Sequence, residues 1–593
     1  MNAEQHYTSE RNHQILLALL KAHGIRKVVA SPGTTNISLV GSMQNDPWFE
    51  IYSSVDERSA AYIACGMAAE SQEPVVLTCT GATASRNYMP GLTEAYYRKL
   101  PVLAVTSHQG NEKLGHLIAQ NIDRTAPPGD VAGISVTLPV CKDAQDEWNC
   151  EIQANRALLE LKRQGGIPVH INLMTTYSRD FSVRELPSTR CIRRYSDITD
   201  FPEIPEGSVA LFAGAHKVMN QSEQSAIDAF CATYDAVVYC DHTSGYYGKY
   251  RVDFSLVAAQ NHYFSAALRV DTLIHIGEVS GDYYTMRIEP KRVWRVSEDG
   301  ELRDTFRKLE CVFQIPEKDF FLAYSAENAN EESQLQQRKR EYQRVHSLIP
   351  ELPFSNLWMG YSFSQRLPKN SVVHFGILNT LRSWNMFELP VGVHSYSNVG
   401  GFGIDGNISS LLGAALASPD KVFYGIVGDL SFFYDLNCWG NRHLPANMRV
   451  ILVNNGRGQE FCNYDNAGRL FEKGVLRYIA AGNHFGNKSQ TLVRHYAEDL
   501  GVTYLSASNK QQAIEAAKMF FSETQYSAPM LFEVFTAGDD ENKALEMIRS
   551  IANHENMKEF TQMPVGNSQH GAVARLRRLC SGQKQFVKKL LRR

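Results

Sequence analysis

The hydrophobic positions of this chain alternate between two periods. Ile15-Leu16-Leu17-Ala18-Leu19-Leu20 seeds an apolar helix that stops at Gly24, and Ile25 to Ala30 then read as a short strand. The same alternation returns in Pro74 to Thr78, Pro101 to Val105 and Pro168 to Asn172, each run separated from the next by enough chain for a helix. It restarts near residue 186 with runs at 209–214, 236–239 and 272–276. After a polar stretch from Glu327 to Arg344, expected to be a solvated helix or linker, it restarts again with runs at 372–376, 421–427, 449–453 and 530–534. Strands joined by crossover helices predict parallel sheets covered on both faces. The expected architecture is α/β: three consecutive doubly wound parallel-sheet domains over 1–186, 187–345 and 346–555, and a basic tail over 556–593.

Composition narrows the function classes. At 593 residues the chain exceeds one hydrophobic core. With 44% hydrophobic and 21% charged residues and a formal net charge of -3, bulk charge gives no reason to expect nucleic acid as a partner. No apolar run is long enough to cross a bilayer, and the first residues are polar where a secretory signal is basic and then apolar, so a cytoplasmic protein is expected. The 11 cysteines form no CxxC pair and no zinc-spaced cluster, which points to reduced thiols. From Gly571 to Arg593 the tail carries Arg575, Arg577, Arg578, Lys584, Lys588, Lys589, Arg592 and Arg593 without an acidic residue. Interleaved Leu and Phe residues would let it lie on an anionic membrane surface, the alternative being a terminal helix that frays or packs on a partner.

Two strand ends carry the candidate chemistry. Gly428-Asp429-Leu430-Ser431 closes one run, and Asn454-Asn455-Gly456-Arg457-Gly458-Gln459 closes the next. A Gly-Asp turn at the carboxyl end of a buried parallel strand presents a hard oxygen ligand beside a helix start able to take a phosphate. Asp429, the side chain of Asn455 and the backbone carbonyl of Arg457 are the expected Mg²⁺ ligands, with remaining octahedral positions left for phosphate and water. Far upstream, Asp56-Glu57-Arg58-Ser59-Ala60-Ala61 puts an acid at the start of a small-residue helix, where the helix dipole alone could explain it.

Taken together these motifs resemble the thiamine diphosphate enzymes. Ser31-Pro32-Gly33, the Glu57 run and Gly400-Gly401-Phe402-Gly403-Ile404-Asp405-Gly406 look like the branch that contains the menaquinone-pathway 2-succinyl-5-enolpyruvyl-6-hydroxy-3-cyclohexene-1-carboxylate synthase. The resemblance runs from about residue 10 to 540. It implies pyrimidine-binding, central and diphosphate-binding domains in that order, and a homodimer or dimer of dimers with each cofactor between two subunits. It implies that Glu57 bonds the aminopyrimidine, that Ile404 keeps the cofactor bent, and that Gly33, Thr380, Phe402, Gly428, Leu430, Ser431 and Gln459 complete its site. Gln120 falls where the family has a substrate-contacting glutamine, the plain alternative being an ordinary loop residue.

The resemblance breaks at the family's substrate-holding arginines. Thr35, Gln109, Trp384 and Val399 stand where arginines are expected, and Glu460 stands where an apolar residue would face the substrate. Fewer cations and one more anion disfavour a tricarboxylate assembly. The expected substrates are therefore different: a 2-oxo acid donor and a less anionic, hydroxyl-rich acceptor met by Glu460, Asn398 and Trp384, with Arg382 as a displaced replacement for one arginine. The expected reaction is decarboxylation with transfer of the acyl-anion equivalent. Simple decarboxylation, the menaquinone synthase itself and an idle cofactor-binding scaffold are the alternatives.

Overall fold

The computed structural model describes residues 6–326, 332–484, 489–524 and 527–561. The basic tail lies outside them, apart from a short helix at Lys558–Thr561. The chain forms two compact units, residues 1–196 with 300–312, and residues 197–299 with 313–593.

The first unit is built on a six-stranded sheet in the order Glu50–Ser53, Lys27–Ala30, Val75–Thr80, Val102–His108, Val169–Met174, Ile134–Leu138. Every neighbouring pair is parallel. The unbroken apolar runs follow from burial on both faces. Val28, Val76, Leu103 and Val105 point into one core beneath the helix Arg11–Ala22. Their neighbours Val29, Val75, Leu77 and Ala104 point into the other.

That second core explains the small residues after Glu57. The helix Glu57–Ser71 buries Ala60, Ala61, Ala64, Cys65 and Ala68. It lies so close to the helix Met89–Tyr97 that a Cβ on Gly91 would come within 2.5 Å of the Ala61 methyl. Asp56 caps its start, accepting the Arg58 N–H at 3.1 Å and the Ser59 hydroxyl at 2.7 Å.

The second unit holds two further parallel sheets. One contains Arg251–Asp253, Val238–Cys240, Val209–Ala213, Arg269–Ile276 and Glu289–Val296 in that spatial order. The other has six strands in the order His394–Ser397, Val372–Phe375, Phe423–Gly428, Met448–Asn454, Met530–Phe535, Thr503–Ala507. The polar stretch expected as helix or linker is, where described, the helix Ser333–Ser347. It is not merely solvated, since Glu341 is buried and accepts from Tyr263 at 2.6 Å.

Strand order puts the candidate motifs at one end of the last sheet. Phe423–Gly428 and Met448–Asn454 are hydrogen-bonded neighbours, Gly428 standing beside Val453. Asp429 and Asn455 thus leave adjacent strands at their carboxyl ends, where open parallel sheets bind ligands.

Candidate active site

Asp429 is 2% exposed. Its Oδ1 accepts the Leu430 N–H at 2.9 Å, whereas Oδ2 is buried with no hydrogen-bond partner among the described residues. Burial pushes this carboxyl up to about 7, against the Leu430 hydrogen bond and the pull of the nearby Gly456 and Arg457 backbone amides. An orphaned buried carboxylate oxygen costs on the order of 1–3 kcal/mol or more. A buried carboxylate oxygen of this kind is chemically fit to hold a hard cation. Asn455, half-buried, accepts the Arg457 N–H on Oδ1 at 3.3 Å across the Gly456 turn. No group of three or more acidic, His or Cys ligands exists among the described residues. The helix Asp429–Tyr434 has only six residues, and its dipole offers a phosphate less than the sequence pattern suggests.

The glycine-rich loop is braced against this helix. Ser431 donates to the Ile404 carbonyl at 2.6 Å, and Asn407 donates to the same carbonyl at 2.8 Å and to the Ser431 hydroxyl at 2.9 Å. Phe402 sits at φ 56, a conformation costly for a residue with a Cβ. Asn398 braces the loop from the other side, donating to the Gly406 carbonyl at 3.2 Å and to Ser410 at 3.0 Å.

Next to these elements the second unit contains a cavity of about 190 Å³. Its walls include Tyr283, Asn379, Arg382, Glu460 and Asn463. Arg382 and Glu460, both sequence candidates, form a salt bridge there, and Arg382 lies 4.0 Å over the Tyr283 ring. The pair is incomplete. Arg382 Nε and Glu460 Oε2 are buried and unpartnered. Glu460 is therefore not the isolated anion the sequence suggests, and Arg382 is not a free cation. A hydrogen-bonded chain runs from the Asn455–Arg457 turn to this wall: Arg457 Nε donates to Gln459 at 2.9 Å, Gln459 to Asn463 at 3.2 Å, and Asn463 to Asn379 at 3.4 Å. Thr380, next to Asn379, is 5% exposed. A wider depression of about 640 Å³ is lined by Phe354, Lys510 and Asp540, but its Lys510 is engaged by Glu351 at 2.9 Å.

Trp384 is a correction. It is fully buried, its indole N–H donates to Asn356 at 3.0 Å, and its ring packs 5.6 Å from Phe375. It offers no face to a substrate. Val399 is likewise core.

In the first unit, Glu57 is half-buried at its helix start and accepts from Asn87 at 3.2 Å. Gly33 is required by close packing, since a Cβ there would lie 2.7 Å from Thr80. Thr35 is consumed internally, bonding the Thr80 hydroxyl and donating to the Ser107 carbonyl at 2.9 Å. Gln109 donates to Tyr177 at 2.5 Å and accepts from Lys113 at 2.8 Å. Gln120 is exposed, in a loop with its own φ at 64.

Residues 11–126 match the family model described as thiamine pyrophosphate enzyme, N-terminal TPP binding domain. The N-terminal unit is that of a thiamine pyrophosphate enzyme. Over most of its length the chain is similar to proteins named 2-succinyl-5-enolpyruvyl-6-hydroxy-3-cyclohexene-1-carboxylate synthase. The one from Bacteroides fragilis is 29% identical over 562 residues, covering 91% of this chain and 98% of the relative. That from Bacteroides thetaiotaomicron is 28% identical over 565 residues, with 91% and 98% covered. A solved Rhodococcus jostii RHA1 thiamine diphosphate-dependent 4-hydroxybenzoylformate decarboxylase aligns with 17% identity and a TM-score of 0.40, covering 89% of this chain and 100% of that one.

Sequence reading missed Tyr283, Asn379 and Asn463. Tyr283 comes from the middle of the chain, where the motif pattern is weakest, and the two asparagines carry no spacing signal.

Proposed function

We propose that this chain is a thiamine diphosphate- and Mg²⁺-dependent transferase or lyase that decarboxylates a 2-oxo acid and passes the two-electron acyl fragment to an acceptor. The observation that carries the reading is Asp429, a buried carboxylate with one oxygen left without a partner at the carboxyl end of a central parallel strand. Asp429, Asn455 and the Arg457 carbonyl would hold Mg²⁺, and Ile404, fixed through its carbonyl by Ser431 and Asn407, would press on the cofactor. Glu57 would bond the pyrimidine and hold the proton that this ring exchanges, with Asn87 keeping the carboxylate turned toward it. When bound, the cofactor supplies the electron sink that lets a 2-oxo acid lose carbon dioxide.

The acceptor belongs in the cavity beside Arg382 and Glu460. A pair that is neutral in sum, with one donor and one acceptor still unsatisfied and amides around it, suits a neutral hydroxylated molecule better than a multiply charged acid. This separates the proposed chemistry from the carboxylate product named for the relatives. Two chains would share each cofactor, Glu57 from one and the ion clamp from the other. The exposed Ile37, Tyr52, Val55, Tyr62 and Ile63 around the start of the Glu57 helix support such a seam. No described helix is long and apolar enough to cross a membrane.

Calorimetry with thiamine diphosphate and Mg²⁺ tests the core of the proposal, with micromolar or tighter binding expected. Carbon dioxide release over a panel of 2-oxo acids, with and without hydroxy-aldehyde acceptors, then identifies the donor. Absence of binding heat together with absence of thermal protection sinks the reading, and aldehyde as the sole product under every acceptor reduces it to simple decarboxylation.

A further inference from the structure

Three buried nitrogens in the first unit face no acceptor among the described residues. Arg124 is 8% exposed, and its Nε and Nη1 are buried without a hydrogen-bond partner. His108 is 4% exposed, and its Nε2 is likewise buried and unpartnered. The Gly110 N–H donates to His108 Nδ1 at 3.2 Å, so the neutral ring carries its proton on Nε2, which becomes a donor with nothing to bond. Burial, reinforced by the charge of Arg124, pushes this imidazole down to about 4 and keeps it neutral. Burial, with Arg86 adding repulsion, pushes the guanidinium down to about 10, still cationic at neutral pH.

The surroundings give this guanidinium no hydrogen-bonded counter-ion, and the Asp123 carboxylate acts on it only through space. Asp123, its neighbour in sequence, spends its carboxylate on the Thr125 N–H at 3.0 Å and hydroxyl at 2.7 Å. Arg86 donates to the Asp123 carbonyl at 2.8 Å. The guanidinium occupies space that only glycine leaves open, because a Cβ on Gly81 would lie 2.2 Å from Nη1 and 3.2 Å from the Ser107 carbonyl oxygen. Thr35 donates to that same carbonyl. Arg124 and Thr35 thus both border the Ser107 carbonyl, and Thr35 stands where the family resemblance implies an arginine. Burial pushes the Cys79 thiol up, and the charges of Glu57 and Arg124 act on it in opposite directions.

We propose that Arg124 and the Nε2–H of His108 form an oxyanion site that takes the carboxylate of the 2-oxo acid donor, in place of the arginine absent at Thr35. A carboxylate entering there accepts hydrogen bonds from nitrogens that now have none and neutralises a buried charge. This inference rests on the reading of the chain as a 2-oxo acid enzyme.

The test compares wild type, Arg124→Gln and Arg124→Lys as full chains. Without ligands, Arg124→Gln is expected to melt at or above the wild-type temperature, since it removes an unpaired buried charge; a merely structural arginine gives a lower one. Pyruvate and 2-oxoglutarate titrated by calorimetry should bind Arg124→Gln at least tenfold more weakly than wild type, with Arg124→Lys between the two. Methyl pyruvate, which lacks the anion, should not distinguish the three. The inference is overturned if Arg124→Gln binds the acids as wild type does, if wild type binds neither acid, or if inorganic phosphate alone binds in an Arg124-dependent way. Thiamine diphosphate with Mg²⁺ is titrated in parallel and should differ by less than twofold among the three proteins. Cofactor heat that is present while the acid results fail removes this inference alone, whereas missing cofactor heat removes the functional reading.

Discussion

Burial pushes the Asp429 carboxyl up to about 7, well above its value in an unfolded chain. The folded state then holds the proton more tightly than the unfolded one, so ionising Asp429 costs stability progressively from about pH 4 to pH 7, and the whole cost is present above that. Asp429→Asn removes it. Without ligands this variant is expected to melt several degrees above wild type at pH 8, with the gap closing at pH 5. With thiamine diphosphate and Mg²⁺ at pH 8 the order should invert, because only the carboxylate holds the ion. Scanning fluorimetry at the two pH values reads both effects, and equal protection of the two proteins by the cofactor would exclude Asp429 as a ligand. For Glu57, replacement by Gln should lower turnover at least 100-fold while cofactor affinity changes less than about tenfold. A parallel loss of affinity and rate would instead make Glu57 a binding group only. Asp429 was legible in the sequence because it opens a helix immediately after an apolar run, and Glu57 because it opens a helix of small residues that resembles the family's.

Among the elements, the glycine-rich loop depends on two hydrogen bonds to the Ile404 carbonyl, one from Ser431 and one from Asn407. Ser431→Ala should leave the fold intact, costing about 1 kcal/mol of stability. It should weaken cofactor binding by about tenfold, and unchanged affinity would show that Ile404 is held without Ser431. The Arg382–Glu460 pair is partly buried, its side chains 15% and 19% exposed. A double-mutant cycle with Arg382→Met and Glu460→Gln should give a coupling of about 1–2 kcal/mol in thermal or denaturant stability. Additive effects would mean the pair does not persist in solution. The sequence named both residues and opposed their roles, reading Glu460 as a gained repulsive charge. What it lacked was the fold that brings a helix after Val372–Phe375 against the turn after Met448–Asn454.

At the scale of the whole molecule, the exposed apolar residues Tyr62 and Ile63 on the Glu57 helix predict self-association. Sedimentation should find a dimer or tetramer, and the double change Tyr62→Asp with Ile63→Asp should yield monomers whose cofactor affinity falls more than tenfold. Monomers with intact affinity would show that one chain completes the site. The alternation of apolar helix and strand periods, and the two motifs at the ends of strands, were set by the sequence alone, since both are local: burial on two faces writes itself into unbroken apolar runs, and ligand turns follow those runs directly. Tertiary structure alone decided that Trp384 is core, that Glu460 meets Arg382, and that the Arg124 guanidinium fills the space Gly81 leaves open. Each of these depends on which distant groups share a low-dielectric space, and the identity of a charge in the sequence does not say what neutralises it.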